Sequence, residues 1–229
     1  MTERWKSYIT QGVQAAGGPI PFALSQWTFL FPIFSAIRRA LPSGGKVLDV
    51  GCGAGVFTTL LAHHKFQVVG VDEDSDIVAY ASEMVKYFRS DARVEQASAF
   101  DLSRYYGQFD LVYSLGVIEH FDRQTTIQLL REQAKCSPLV LSVIPTKYTE
   151  YVANRTDERL YTFREFKKIF RQAGFEILNS FVHCDVPSQL SRNLERALPG
   201  ALHRFLQRQF SYAISQCCLG RWAGPPLGG

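Results

Sequence analysis

Three glycines at alternate positions, Gly51, Gly53 and Gly55, sit between the apolar run Val47-Leu48-Asp49-Val50 and a helical pattern from Gly55 to His64. Glycine lets a backbone turn sharply and lets a ligand approach it closely. A helix that begins just beyond such a turn offers unpaired N–H groups to an anionic group. The chemistry implied is ligand binding by main chain, with Cys52 read as a small residue filling a tight space rather than as a nucleophile. A second apolar run, Phe66–Val71, ends at Asp72, and Glu73 follows. A carboxylate at a strand end about 20 residues beyond a glycine-rich turn is placed to accept both hydroxyls of a ribose. The competing role for Asp72 is a helix cap or a solvated loop acid, but Asp74 and Ser75 are both available as caps. An acceptor that must lose a proton needs a base near the same edge, and His120, after the run Phe109–Ser114, is the candidate. Its other role is structural, orienting the turn with Glu119 holding it.

The glycine spacing separates two classes of cofactor. A dinucleotide fingerprint reads G-x-G-x-x-G, whereas this turn reads Gly51-x-Gly53-x-Gly55 and is preceded by Asp49. An acid at that place repels a pyrophosphate. It suits a cofactor with a cationic amino-acid end. S-adenosylmethionine has such an end, together with an adenosine whose ribose matches Asp72.

Residues so spaced need a scaffold that gathers strand ends along one edge. Lys46–Val50, Phe66–Val71, Arg93–Ala97, Phe109–Ser114, Leu139–Ile144 and Phe175–Val182 read as strands. Between them fall helical patterns over Gly55–His64, Ser75–Phe88, Thr125–Lys135 and Thr162–Ala173, the last with Thr162 and Glu165 as a capping box and Gly174 as its stop. This alternation predicts parallel βαβ units and an α/β fold with a doubly wound, mostly parallel open sheet. Ligands of such sheets bind outside the carboxyl ends of the strands.

Residues 1–42 read as helical, with breaks at Gly17-Gly18, Pro19, Pro21 and Pro32, and are rich in aromatic side chains. They are expected to fold across the cleft as a lid, or else to pack as an extra helix on the flank of the sheet. Trp5, Tyr8 and Trp27 are the candidates there for lining an acceptor pocket, and Tyr148 and Tyr151 after the fifth strand are others, although all can equally be packing residues. The apolar character of this region predicts a hydrophobic or aromatic acceptor.

Val47–Phe57, Val68–Asp72, Val94–Leu102, Phe109–Val112 with Gly116–Phe121, and Tyr161–Phe175 together resemble the successive motifs of the class I S-adenosylmethionine-dependent methyltransferase family. The resemblance covers about residues 45 to 183 and is strongest to the subgroup with small-molecule acceptors, which includes quinone-biosynthesis methyltransferases. It implies a Rossmann-like sheet of seven strands and a cofactor site formed by Asp49, Gly51, Cys52, Gly53, Gly55, Asp72, Glu73, Ser98, Ala99, Phe100, Ser114 and Leu115. Three departures matter. Ser98 stands where many relatives place an adenine-binding Asp. Gly116 stands where some relatives place the first Glu of a metal-binding E-x-x-E-H, so no metal is expected. Ser114-Leu115-Gly116-Val117 replaces the (D/N/S)-P-P-(Y/F) signature of many nucleic-acid and protein amino-group methyltransferases, which lowers the case for a macromolecular acceptor.

The region after Asp185 carries two competing patterns. Leu198, Leu202, Phe205, Leu206 and Phe210 fit the apolar face of one long helix, with His203, Arg204, Gln207 and Arg208 opposite, suited to an anionic membrane. The resemblance instead predicts helix over about 189–208, interrupted near Pro199-Gly200, and a seventh strand over about 211–219, antiparallel and inserted between the fifth and sixth. The expected organisation is a lid over 1–42, a cofactor-binding domain over 43–222 with a helical cover at 185–209, and a loose tail over 223–229.

The 229-residue chain has a formal net charge of +4 with no basic block, far short of a nucleic-acid footprint. Cys52, Cys136, Cys184, Cys217 and Cys218 are odd in number and form no CxxC pair, as expected of free thiols. No apolar run follows Glu3, Arg4 and Lys6, and the stretch Pro21–Ile33 reads as too short to cross a bilayer. The expected location is the cytoplasm, with peripheral membrane contact and oligomeric state left open. Two further readings stay open beside a small-molecule enzyme: a methyltransferase for a macromolecule, and a scaffold that binds the cofactor without catalysis.

Overall fold

The chain forms the strands β1 (Gly45–Val50), β2 (Phe66–Asp72), β3 (Arg93–Gln96), β4 (Leu111–Leu115), β5 (Leu139–Pro145), β6 (Phe175–His183) and β7 (Ser215–Trp222). The computed structural model describes residues 2–148, 159–186, 188–210 and 212–225. The strands pair in the order β3-β2-β1-β4-β5-β7-β6. All are parallel except β7, which runs antiparallel between β5 and β6. The helices are α1 (Thr2–Ala16), α2 (Pro19–Ala40), α3 (Val56–His63), α4 (Ser75–Tyr87), α5 (Arg123–Cys136), α6 (Phe163–Ala173), α7 (Gln189–Ala197) and α8 (Gly200–Phe210).

The period of two along each strand divides the core into two layers. Leu48, Val50, Val112 and Val140 face α5 and α6, where Leu129, Leu130, Phe166 and Phe170 are fully enclosed. Val47, Val68, Leu111 and Leu141 face the other way, against α2, α3 and α4. The capping box at Thr162 forms as expected, with Glu165 N–H donating to the Thr162 hydroxyl, and Gly174 closes α6 in the left-handed region.

Two sequence expectations need correction. Pro32 does not break the N-terminal region; α2 runs through it as a 22-residue helix. The carbonyl that proline leaves without its helical partner belongs to Thr28, an exposed residue, so the lost bond is replaced by solvent. The helix is therefore long and apolar enough to cross a membrane by length and composition. Its Leu30, Ile33, Ala36 and Ile37 nevertheless join the core layer of α3 and the sheet.

The second correction concerns the region from α8 to β7. Leu202, Phe205 and Phe210 of the expected apolar face are exposed, while His203 and Gln207 from the opposite face are buried. Gln207 donates through its amide to Asp185, just beyond β6, and this bond holds the His203–Gln207 side of the helix inward. The seventh strand forms where expected in the sheet but starts at Ser215 rather than near Ser211. Tyr212 does not enter it because its hydroxyl pairs with Ser188 at 2.6 Å and its N–H donates to Gln207 O at 2.9 Å.

Candidate functional site

The strand order reverses between β1 and β4, and the loops leaving these two strands meet there. In an open α/β sheet that crevice is where ligands bind. Gly51, at φ 74, has no room for a side chain, since a Cβ would overlap Val117 Cγ2 in the loop after β4. Gly70 of β2 is a second close approach: its Cβ would stand 2.9 Å from Cys52 Cβ and 3.1 Å from Thr58 Cγ2. Cys52 is thus packed against β2, and burial raises its thiol well above the ordinary range, in keeping with a filler rather than a nucleophile.

The main-chain N–H groups of the turn are largely used within the protein. Gly51 N and Cys52 N both donate to Val71 O, at 2.8 and 3.0 Å, and Gly55 N donates to Cys52 O at 3.0 Å. The unpaired donors expected from the sequence therefore lie further on, in the first turn of α3. Gly53 N donates to Asp72 Oδ2 at 3.2 Å, which ties the glycine turn to the end of β2. Asp72 Oδ1 accepts from Asp74 N at 3.3 Å. A carboxylate has about four lone-pair sites, so both oxygens keep capacity for a diol. Asp74, not Asp72, caps α4, its Oδ1 accepting from Asp76 N at 2.9 Å and Ile77 N at 3.4 Å.

Asp49 lies at the end of β1 on the α3 side, 2% exposed, and accepts from the Thr58 hydroxyl at 2.6 Å. Burial pushes its carboxyl up to about 7; the Thr58 bond opposes the rise and the nearby Asp72 adds to it. Burial likewise raises Asp72, with Asp74 and Glu73 adding to it. Among the described residues, no basic group offsets either acid. A cationic ligand fits this turn and a pyrophosphate does not. A Cβ built on Gly53 would meet nothing within 4 Å, so the turn leaves open space where a ligand would lie. Acid charge and open backbone together fit S-adenosylmethionine, whose ammonium and sulfonium are cations.

The remaining predicted site residues divide. Ser98 and Ala99 are half-buried beyond β3, with the Ser98 hydroxyl accepting from Phe100 N at 3.3 Å. Phe100, 49% exposed, meets Phe121 edge-on at 5.1 Å and so joins the loops after β3 and β4 in one apolar wall. Glu73 is exposed and Leu115 half-buried. Ser114 points into the sheet, 1% exposed, with its hydroxyl 2.9 Å from that of Ser142, so only its main chain can face the crevice. His120 ends a short 3-10 turn, Ile118–His120, with both ring nitrogens shielded from solvent.

Trp27 is not brought to the crevice. Its ring packs on Phe31 at 5.5 Å, Phe34 at 5.7 Å and His64 at 6.2 Å, and His64 caps the far end of α3, away from the glycine turn. Tyr148 follows β5 and meets Tyr212 edge-on at 4.9 Å. The side chains of Trp5 and Tyr8, and Tyr151 altogether, lie outside the described residues. One residue that sequence reasoning missed is His183, which ends β6 at the ligand edge beside Phe29 at 5.0 Å and Phe181 at 5.7 Å. Both its ring nitrogens are buried without a hydrogen-bond partner, and burial lowers its pKa to about 4, so the ring is neutral. Nothing local marks it, because the contact that encloses it comes from α2.

The Asp49 shift sets an expected pH dependence. A bound cation needs the carboxylate, so affinity for S-adenosylmethionine should rise between about pH 5.5 and 7, by up to about tenfold per unit, and then level off. Stability of the ligand-free protein should run the other way. The folded state holds a proton on Asp49 that the unfolded state has lost, so stability falls as pH climbs from about 4 to about 7. Calorimetric titrations at several pH values check the first statement, with Asp49→Asn as the variant whose profile should be shallower, Asp72 being the acid left to titrate. A wild-type profile as shallow as that of the variant would remove Asp49 from the cofactor's surroundings.

The family profile described as "Methyltransferase domain" matches residues 47–137. Ribosomal protein L11 methyltransferase of Thermotoga petrophila is 31% identical over 135 residues, 58% of this chain and 49% of that protein. Ubiquinone biosynthesis O-methyltransferase of Xanthomonas axonopodis pv. citri is 28% identical over 144 residues, 57% of this chain and 59% of that protein. The chain thus spans about half the length of the curated relatives it matches. Among solved structures, magnesium protoporphyrin IX methyltransferase from Synechocystis PCC 6803 with bound SAH superposes with a TM-score of 0.63 at 15% identity, covering 94% of this chain and 87% of that one, a likeness of fold. The strand order and the acid-bordered glycine turn agree with the matched segment, so residues 47–137 are similar to a methyltransferase domain and the fold is that of the class I S-adenosylmethionine-dependent methyltransferases.

Proposed function

We propose that this protein transfers a methyl group from S-adenosylmethionine to a small, hydrophobic or aromatic acceptor. The observation that carries this reading is the crevice itself: a glycine turn open at Gly53, tied to Asp72 and bordered by acids without a basic partner among the described residues. S-adenosylmethionine, when bound, supplies a methyl carbon already activated by a sulfonium. Asp72 would hold the ribose, Ser98 and the Phe100–Phe121 wall the adenine, and Asp49 the cationic end. What is left to the protein is alignment and exclusion of water. On the acceptor side, Phe29, Phe181 and the neutral His183 ring give apolar contact in this reading. Helices α1 and α2 serve as the lid and α7–α8 as the cover in this reading. The likeness to a ubiquinone biosynthesis O-methyltransferase supports a small acceptor, and the likeness to an L11 methyltransferase keeps a macromolecular one as the second reading.

In this reading His120 takes the proton from the acceptor. The test is to offer S-adenosylmethionine with a panel of phenols, catechols and carboxylic acids and to follow S-adenosylhomocysteine and the methylated product by mass spectrometry. Product from the panel, with His120→Ala slower by about 10²–10⁴ at unchanged cofactor affinity, is the expected result. A collapsed melting temperature for His120→Ala would make the residue structural. Transfer only to protein or RNA would overturn the small-acceptor reading.

A further inference from the structure

On α8, Leu202, Phe205 and Phe210 are exposed beside Arg204, Arg208 and Gln209, and the helix carries no acid. Leu202, Phe205 and Phe210 are 44%, 59% and 66% exposed. Among Lys, Arg, Asp and Glu, α8 holds only Arg204 and Arg208, both exposed, and no acidic residue follows Glu195 in the chain. His203 and Gln207 point inward, at 7% and 8% exposure. A surface helix of a soluble protein normally shows the reverse, with its polar face outward. An outward apolar strip flanked by arginines is the pattern of a helix that lies in the interface of an anionic membrane.

We propose that α8 docks the protein peripherally on an anionic lipid surface. Leu202, Phe205 and Phe210 enter the interfacial layer, and Arg204 and Arg208 meet the headgroups. The charge complementarity is one-sided, since each arginine near such a surface favours binding by about fivefold. A second exposed strip strengthens the case. Ile20, Leu24 and Phe31, at 51%, 68% and 50% exposure, fall on one side of α2, which has no charged residue from Pro19 to Ile37. Both α2 and α8 pack beside β6. The α7–α8 segment joins the end of β6 to the start of β7, at the edge of the sheet where the crevice opens. Docking there presents the crevice to the lipid surface. The proposal concerns binding and holds whatever the methyl acceptor is.

Sedimentation with vesicles of phosphatidylcholine alone, and of phosphatidylcholine with phosphatidylglycerol, tests it. The protein should pellet with the phosphatidylglycerol vesicles, stay soluble with the neutral ones and be released by salt. The pair Phe205→Ser and Phe210→Ser should lower partitioning by more than about tenfold, and so should the pair Arg204→Glu and Arg208→Glu. All four positions are exposed, so melting temperature and cofactor binding should stay as in the wild type. Wild-type protein that remains in the supernatant with both vesicles overturns the proposal, as does binding that neither pair weakens. Light scattering that finds a dimer dissolved by the phenylalanine pair would also overturn it, because a second copy would then cover the face.

Discussion

A chain ending at Gln209 is expected to lose its fold as a whole rather than shed a peripheral segment. The truncation removes β7, which is hydrogen-bonded to β5 along Leu139–Pro145 and to β6 on its other edge. Gln216, Cys217, Cys218 and Leu219 are all buried, at 4% exposure or less. Burying Cys217, Cys218 and Leu219 contributes roughly 1.5–3 kcal/mol for a side chain of leucine size and somewhat less for a thiol. The two ladders add their hydrogen bonds, and β6 loses its neighbour in the sheet. Gly220 also allows Phe170 and Phe175 to close over β7, since a Cβ there would come within 3.0 Å of both. The sum is comparable with the whole stability of a domain, about 5–15 kcal/mol. Thermal denaturation should therefore show no cooperative transition for the truncated chain. A truncated protein that melts like the full chain and still binds S-adenosylmethionine would refute this.

Gly53→Val is expected to remove measurable cofactor binding while leaving a folded protein. Two effects act together. Gly53 has φ 52, in the left-handed region that a β-branched residue strongly disfavours, so the turn must move and the Gly53 N–H bond to Asp72 is lost. The side chain also enters the space that the turn leaves open. Gly53→Asn separates the two causes, because asparagine tolerates the left-handed region but still fills the space. If occupancy dominates, both variants lose binding by more than about a hundredfold; if strain dominates, asparagine recovers most of it. Asp72→Ala should weaken binding less, by about 1–3 kcal/mol, since it leaves a ribose diol unpaired. Titration calorimetry reads all three. Unchanged affinity in Gly53→Val and Asp72→Ala would show that the cofactor does not lie on this turn.

Much of this protein is determined by local pattern. The alternation of apolar runs with helical segments already requires a parallel sheet, because parallel neighbours need crossovers of helix length. The glycine turn, the acid at the end of β2 and the capping box at Thr162 depend on neighbours within one or two turns of chain, so they are visible in the residue order. The place of β7 came from the resemblance to a known sheet. Periodicity over residues 198–218 favours a single helix instead, and local spacing has no term for an unpaired edge on β5.

Tertiary structure decided the rest, wherever a residue's partner is distant in the chain. Asp185 holds the His203–Gln207 side of α8 inward, and nothing in a helical period states which side has a partner. Pro32 sits within α2 because the helix is held by its core contacts and the freed carbonyl is exposed. Ser114 is withdrawn from the crevice by Ser142 of the neighbouring strand, and Trp27 by His64 at the far end of α3. His183 is enclosed by Phe29, contributed from the opposite end of the chain. Residue types and spacing establish the fold class and the cofactor turn because those rest on backbone conformation and local charge. The acceptor side and the outer face of α8 are set by packing between distant elements, which only the folded chain brings together.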